Sequence, residues 1–198
     1  MKEYGDEGFL SLLRERREET VRDIRSGNVL IDGKNIAFGE REAIKGKMWL
    51  WMPDEFGPLS KELARLKYPN ENRPDVIYTN KETTVNVTFS HKREKLKEGE
   101  EEEIRNYMKE IVKRVQTSSE MIEEGTVKTE EGCLLAWFDF VTPAIDTDIY
   151  NLMFFSSLEG RLLIGSCNCL EADRGDWKEL FLQMLGTARY RTKQEGVK

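Results

Sequence analysis

Residues 133–170 read CLLAWFDFVTPAIDTDIYNLMFFSSLEGRLLIGSCNCL and contain three long apolar runs in close succession. The connections between these runs, TPAIDT and SLEG, are short enough to join neighbouring strands of an antiparallel meander. All three runs are apolar at consecutive positions, so we expect the sheet that they form to be covered on both faces.

Two amphipathic helices are predicted on either side of this meander. Each has apolar residues at steps of three and four, and an acidic run, EGEEEE, stands at the start of the first, where carboxylates meet the positive end of the helix dipole. The apolar positions are Ile104, Tyr107, Met108, Ile111, Val112 and Val115 in the first helix, and Trp177, Leu180, Phe181, Met184, Leu185 and Ala188 in the second.

The part of the chain before the meander predicts shorter strands and one short helix. Asp32-Gly33 indicates a hairpin turn, and Gly57-Pro58 is expected to open a helix, because proline suits the first helical position. Val76 to Thr79 predicts a strand, and TTVNVTFS (83–90) alternates as a half-buried strand. The residues expected to face inward are Leu59, Leu63 and Leu66 in the helix and Val85, Val87 and Phe89 in the second strand, with Thr84, Asn86 and Thr88 outward.

These elements predict an α+β fold, in which an antiparallel sheet of about six or seven strands carries helices on both faces. In addition, the segment from Lys2 to Ser26 has a narrow apolar stripe typical of an amphipathic helix and is followed by the stop signal Gly27-Asn28. We therefore expect an N-terminal helical extension over residues 1–28 and a single α+β domain over residues 29–198.

Composition restricts the partners and the compartment. The 198 residues carry a net charge of −6, which opposes binding to nucleic acid or to an anionic membrane, because both need a cationic surface. The N-terminus does not resemble a signal peptide, and no stretch approaches the apolar length that crosses a bilayer. With an odd number of cysteines, three, the protein is expected to be cytoplasmic and its thiols reduced.

Cys167 and Cys169 are two residues apart, so on a strand their side chains share one face. A structural zinc site needs four nitrogen or sulfur ligands, and only Cys133 and the single histidine, His91, remain to complete one. Because unpaired cysteine behaves as a small hydrophobic residue, we interpret both side chains as core. No metal site, cofactor site or catalytic residue is predicted.

Asp139 interrupts the apolar run LLAWFDFV. A buried carboxylate needs a partner or a raised pKa, and Arg161 on a neighbouring strand is one candidate for that partner. A structural ion pair is favoured over an acid catalyst, because no second carboxylate is placed to act with Asp139.

Three residues are candidates for contact with a partner. Trp49 and Trp51 share one face of the strand MWLWMP, and they could bind a ligand, mark an interface or be buried under a helix. Arg73, in NENRPD, lies between polar turn residues and could reach a partner from a loop.

The order of elements, together with WMPDEFGPLS (51–60) and LLIGSCNCLEADRGDWKELFLQMLGTAR (162–189), resembles the PsbP-like family, whose fold is shared by PsbP, DcrB and the Ran-binding protein Mog. The resemblance covers about Asn35 to Tyr190. It implies an antiparallel sheet with helices on both faces, and a function in binding other proteins without shared catalytic residues.

We therefore expect a non-enzymatic protein-binding or adaptor module. The alternative is a small-ligand binder or an enzyme with a pocket between sheet and helix near Asp139. A homo-oligomer assembled through the N-terminal helix is a third possibility.

Overall fold

The computed structural model describes residues 23–68 and 73–191, and this part of the chain contains eleven strands and three helices. The strands are β1 (Asn28–Ile31), β2 (Lys34–Ile44), β3 (Met48–Pro53), β4 (Gly57–Pro58), β5 (Val76–Thr79), β6 (Asn86–Lys95), β7 (Glu120–Lys128), β8 (Leu134–Thr142), β9 (Ile149–Leu158), β10 (Arg161–Leu170) and β11 (Arg189–Tyr190). The helices are α1 (Lys61–Lys67), α2 (Glu101–Val115) and α3 (Arg174–Gly186).

Only the end of the predicted N-terminal helix falls within the described residues. Ile24–Ser26 form a single 3-10 turn, which Asp23 caps by accepting a hydrogen bond from the backbone N–H of Arg25. Gly27 ends the turn with φ of 89°, a left-handed conformation that glycine adopts without strain, and β1 follows at Asn28. The predicted stop is confirmed, whereas a helix before residue 23 lies outside the described residues.

The larger sheet has seven antiparallel strands in the order β4-β5-β6-β10-β9-β8-β7. The three apolar runs form the predicted meander β8-β9-β10, in which Leu152 lies opposite Asp139 on one side and opposite Cys167 on the other. The predicted α+β class with antiparallel strands is confirmed.

A second sheet of four strands has the order β1-β2-β3-β11. Its hairpin turn is the predicted one, because Asp32 and Gly33 have φ of 46° and 72°, and a type I′ turn requires positive φ at both central residues. The larger sheet therefore matches the predicted sheet of about six or seven strands, whereas the second sheet was not predicted. Strands β1, β2 and β3 pair in sequence order through short turns. Strand β11 then pairs with β3, and Tyr190 lies opposite Met48.

Two hydrophobic cores lie on opposite faces of the larger sheet, as alternation along β8 requires. The larger core contains Leu135 and Trp137 of β8 together with side chains of β3 and α3. The smaller core contains Phe138 and Phe140 of β8, and Val112, Ile104 and Met108 of α2 pack in it or against it. The expected inward side chains of α3 are buried: Trp177, Leu180, Phe181, Met184, Leu185 and the following Ala188.

Helix α2 is rotated relative to the prediction. Tyr107 and Val115, expected inward, are 63% and 77% exposed, while Glu101 and Arg105 are buried. The cause is Arg105, which donates from Nη1 to the carbonyl of Gly125 on β7 and thereby turns its own side of the helix toward that strand.

Two further expectations are corrected near the middle of the chain. Gly57-Pro58 forms the short strand β4, and the helix starts only at Lys61, because Ser60 caps it by accepting from the N–H of Leu63 at 3.2 Å. Leu63 and Leu66 are exposed rather than inward. In β6, Asn86 and Thr88 were expected to face solvent, but both are buried.

Candidate functional site

Trp49 and Trp51 lie on one face of β3 and are partly exposed. The residues that alternate with them, Met48, Leu50 and Met52, are fully buried in the larger core. The predicted alternation is therefore confirmed, and the two indole rings are neither sealed in the core nor fully in solvent.

An arginine covers each indole ring. The guanidinium carbon of Arg189 lies 5.0 Å from the ring centroid of Trp49, and that of Arg25 lies 4.4 Å from the ring centroid of Trp51. Both distances are within the range of cation–π attraction, which is about 6 Å. We call these four residues the Trp–Arg face.

Carboxylates hold both arginines in place. Glu40 Oε2 lies 3.3 Å from Arg189 Nη2, and Glu130 Oε1 lies 2.6 Å from Arg25 Nη2. These acidic and basic side chains are all substantially exposed, so the ion pairs contribute little to stability and mainly fix the orientation of the guanidinium groups.

Arg73 lies in the loop before β5, where its Nε donates to the carbonyl of Tyr68 at 3.2 Å. It therefore belongs to the larger sheet, whereas Trp49 and Trp51 belong to the four-stranded sheet. Of the three residues predicted to contact a partner, Trp49 and Trp51 are neighbours on one strand face, and Arg73 lies in a loop of the other sheet.

Asp139 is completely buried, and three groups satisfy its two oxygens. Oδ1 accepts from the backbone N–H of Glu123 at 2.7 Å, and Oδ2 accepts from the hydroxyl of Tyr150 at 2.8 Å and from Nζ of Lys178 at 2.7 Å. Lys178 also pairs with Glu123 at 2.6 Å. We call Glu123, Asp139, Tyr150 and Lys178 the Asp139 cluster.

The chain geometry explains why Glu123 points its N–H at Asp139. Ile122 and Glu123 together lie opposite Asp139, so β7 has a bulge at this position. A bulge leaves a backbone N–H without its partner in the ladder, and the carboxylate accepts it. The predicted partner Arg161 is wrong, because its Nε donates instead to the carbonyl of Lys92.

Electrostatics within the Asp139 cluster favour protonated Tyr150 and Lys178. Burial raises the pKa of Tyr150, and the hydrogen bond to Asp139 raises it further. Burial lowers the pKa of Lys178, but its hydrogen bonds to Asp139 and Glu123 outweigh burial, and the net shift of its pKa is upward. A lysine held as ammonium is not a nucleophile, so the cluster acts as an internal tie between α3 and β8.

The cysteine prediction is confirmed for both members of the pair. Cys167 and Cys169 are buried in the larger core, and burial raises the pKa of both thiols. His91 is held between two groups: its Nε2 donates to the carbonyl of Leu158 at 2.9 Å, and Nζ of Lys47 lies 3.3 Å from its Nδ1.

Across residues 23–68 and 73–191, no group of three or more His, Cys, Asp and Glu side chains is arranged to hold a metal ion. Within the same ranges, each helix is too short or too polar to span a bilayer.

One arrangement was not predicted from the sequence. Asn86, Asn168 and Asn151 lie side by side on β6, β10 and β9, because Asn168 is in register with both of the others. The available signal was the period-two polar pattern Asn86-Thr88-Ser90 in one strand and Ser166-Asn168 in another. Only the pairing of two strands that are distant in sequence brings these patterns together.

Comparison with known proteins gives a fold but no function. No family model matches the chain, and no match was found among curated proteins. Among solved structures, cyanobacterial PsbP (CyanoP) from Synechocystis sp. PCC 6803 is similar, with a TM-score of 0.55 and 13% identity over 78% of this chain and 92% of that chain.

Two other solved structures are less similar. A protein from Bacteroides thetaiotaomicron has a TM-score of 0.46 and 11% identity over 74% of this chain and 46% of that chain. The protein of unknown function PA94 from Pseudomonas aeruginosa has a TM-score of 0.46 and 12% identity over 79% of this chain and 99% of that chain. The likeness to CyanoP confirms the predicted PsbP-like fold.

Proposed function

We propose that this chain is a non-enzymatic protein-binding module and that the Trp–Arg face is its contact surface. The observation that carries the proposal is the pair of partly exposed tryptophans, each covered by an arginine, on one face of β3. Tryptophan and arginine are the residues most enriched among those that dominate the binding energy of protein interfaces.

The held orientation of these side chains also favours binding. Binding costs free energy when long side chains lose rotamer freedom, and each ordered side chain costs about 0.5–1.5 kcal/mol. Glu130 and Glu40 already orient Arg25 and Arg189 in the free protein. The two arginines would therefore lose less rotamer freedom when a partner binds.

The remaining partner and compartment predictions complete the proposal. The partner is another protein in the cytoplasm, and neither nucleic acid nor a membrane is the target, since the net charge of −6 opposes both. Arg73 stays a predicted contact residue. A homo-oligomer through the N-terminal segment stays a prediction that the mass of the full chain in solution would test.

Photo-crosslinking from a defined position tests the contact surface. Glu42 is exposed and lies directly opposite Trp49 in the sheet, so a benzoylphenylalanine at this position samples the Trp–Arg face. The same probe at the exposed Tyr107 of α2 is the matched control. Helix α2 packs on the larger sheet, whereas the Trp–Arg face is on the four-stranded sheet.

The expected result is a discrete crosslinked protein from position 42 in cells, absent from position 107 and lost when Trp49→Ala/Trp51→Ala is added. Circular dichroism establishes that the double variant is folded. Equal crosslinking from both positions, or none from position 42, would contradict the proposal.

A small-ligand site or enzyme at the Asp139 cluster is the second candidate. The observation that favours it is that Lys178, whose side chain is 24% exposed, reaches the fully buried Asp139 and so connects the cluster to solvent. A metabolite that raises the melting temperature of the native chain but not of Asp139→Asn would favour this candidate. It ranks second because Asp139 and Lys178 already satisfy each other.

A further inference from the structure

Two pairs of like-charged residues lie directly opposite each other at one end of the molecule. Lys95 on β6 is in register with Arg161 on β10. Arg191 donates its backbone N–H to the carbonyl of Lys47 at 2.9 Å, so these two residues are opposite each other one step beyond the paired residues of β3 and β11. Like charges directly opposite each other in a sheet are destabilising. We call Lys47, Lys95, Arg161 and Arg191 the basic end.

The two pairs come together at the turn between β9 and β10. Nζ of Lys47 lies 2.6 Å from Oε2 of Glu159, in the turn that leads into Arg161. The same Nζ lies 3.3 Å from Nδ1 of His91, whose Nε2 donates to the carbonyl of Leu158 at 2.9 Å. Leu158 is directly opposite Arg161. These contacts bring both pairs to the same end of the larger sheet.

Lys95 and Arg161 project from the face of the larger sheet that carries the larger core. Their next neighbours in sequence, Leu96 and Leu162, are buried in the smaller core on the other face. Successive side chains of a strand point to opposite faces. Lys95 and Arg161 are therefore on the same side as the four-stranded sheet, which packs on the larger core and supplies the other pair of the basic end.

A single carboxylate is paired with these four cations. Among the described residues, Glu159 pairs with Lys47, whereas Lys95, Arg161 and Arg191 form no ion pair. The hydrogen bond from Lys47 lowers the pKa of Glu159, and the charges of Lys47 and Arg191 lower it as well. Glu159 therefore stays ionised at neutral pH, and an excess of positive charge remains at the basic end.

Arg161 is oriented while most of its donors stay available. Its Nε donates to the carbonyl of Lys92 at 2.8 Å, and the N–H groups on its two Nη atoms form no hydrogen bond within the described part of the chain. Lys95 is exposed and Arg161 is partly exposed, so solvent reaches both side chains. Both residue types bind carboxylates, and arginine can do so through two parallel hydrogen bonds.

The surroundings favour a short acidic segment over a larger polyanion. The whole chain has a net charge of −6, so the positive charge of the basic end is local. At physiological ionic strength exposed charges act over about 8 Å. A short segment would meet mainly the basic end, whereas a nucleic acid or an anionic membrane would also lie against acidic surface. The Cβ atoms of opposite residues are about 4.5–5.5 Å apart, which lets one carboxylate contact both cations of a pair.

We propose that the basic end binds an acidic segment of another protein. One carboxylate of the segment lies between Lys95 and Arg161, and a second lies on Arg191, next to Lys47. Binding replaces the repulsion within each pair by attraction to a shared anion. The Trp–Arg face begins two residues further along β3 and β11, but the proposal goes beyond that face and does not depend on it.

The probe is a short fluorescein-labelled peptide in which glutamate alternates with serine, titrated with the full chain by fluorescence anisotropy. The same peptide with glutamine in place of every glutamate is the control ligand. The test variant is Lys95→Gln/Arg161→Gln. The matched control is Lys34→Gln/Lys61→Gln, which removes the same charge from two exposed positions, on β2 and α1.

We expect the acidic peptide to bind the native chain, and to bind more weakly as the ionic strength rises. Lys95→Gln/Arg161→Gln should weaken binding by about ten-fold, since it removes two charged contacts. Lys34→Gln/Lys61→Gln and Trp49→Ala/Trp51→Ala should leave the affinity within about two-fold.

The melting temperature separates recognition from folding. Lys95→Gln alone should leave the melting temperature of the free chain unchanged or raise it, because it removes one member of a like-charged pair. The same variant should weaken binding of the acidic peptide, which a defect in folding would not explain.

Three outcomes would overturn the proposal: no binding of the acidic peptide, equal binding of the glutamine peptide, or equal effects of the two double variants. Amide NMR shifts of the native chain locate the peptide independently, and shifts that lie outside residues 91–95, 158–161 and 189–191 would reject the basic end. Binding to phosphatidylglycerol vesicles without binding to the peptide would assign the basic end to a membrane and would also reject the proposal.

Discussion

Nζ of Lys178 lies 2.7 Å from Oδ2 of Asp139, so a single contact joins a helix at the surface to a carboxylate with no exposure. Removing one member of such a pair leaves a buried charge without its partner. The contact therefore gives a sharp test of how α3 is attached to the larger sheet.

Lys178→Met should reduce the free energy of unfolding by about 3 kcal/mol or more, because Asp139 would stay buried without its ammonium partner. Urea denaturation measures the change. The double variant Lys178→Met/Asp139→Asn should recover part of the loss. The control is Lys113→Met, which removes an exposed pair with Glu110 and should cost less than about 1 kcal/mol.

Gly165→Ala should destabilise the protein by about 1–3 kcal/mol through overpacking. A Cβ at this position would lie 2.0 Å from Cζ of Phe154, the residue directly opposite on β9. The measurement is the melting temperature of Gly165→Ala compared with that of Gly175→Ala in the first turn of α3. A Cβ at Gly175 would have no other heavy atom within 4 Å. That control should be neutral or stabilising by up to about 1 kcal/mol, and equal losses at both positions would contradict the packing.

The rotation of α2 can be tested with one substitution at two sites. Val112 is 8% exposed and Val115 is 77% exposed, although the apolar spacing places both on one face. Val112→Ala should cost about 1.5–2 kcal/mol, and Val115→Ala less than about 0.5 kcal/mol. Chemical denaturation measures the two losses. Similar losses at Val112 and Val115 would indicate the predicted orientation, in which both side chains face inward.

Stability should fall at alkaline pH through the Asp139 cluster. The upward pKa shifts of Tyr150 and Lys178 mean that both groups hold their protons more tightly in the folded chain. Their contribution is fully present below the unfolded pKa values of about 10 and is lost as pH rises through the folded values. Melting temperatures between about pH 8 and 11 measure the slope. Tyr150→Phe should flatten it, and an unchanged slope would contradict the assignment.

Each arginine of the Trp–Arg face should affect only its own indole. With fluorotryptophan incorporated, Arg189→Ala should shift the 19F resonance of Trp49, and Arg25→Ala that of Trp51. Trp137 and Trp177, which are buried, serve as internal controls and should not move. The cost in stability should be about 0.5–1 kcal/mol for each variant, the range of exposed cation–π contacts. Shifts at all four positions would indicate general loosening.

Strong periodicity and turn chemistry were enough to predict the meander, the alternation of side chains along β3 and the Asp32-Gly33 hairpin, but not which face of β3 is buried. These features depend on residues close in sequence. The division into two sheets was not predictable in the same way, because β3 and its partner β11 are about 140 residues apart in sequence.

The errors at polar positions share a cause. The apolar spacing of α2 could not reveal that Arg105 would turn the helix toward Gly125, and an apolar strand could not reveal that Lys178 would be the partner of Asp139. Similarly, Asn86 and Thr88 seemed to face solvent because their partners, Asn168 and Ser166, are far away in sequence. Long-range polar pairing decided each case.

The bulge in β7 has a consequence for self-association. Within the described residues β7 pairs on one side only, so its outer side is an edge on which another sheet could grow. The extra residue interrupts the ladder there, and the exposed Glu120 places a charged side chain at the start of the strand. At the opposite end the sheet stops at the two-residue strand β4, whose last residue is Pro58. Both edge strands of the larger sheet, β7 and β4, therefore disfavour the addition of strands from other molecules, the step by which fibrils grow.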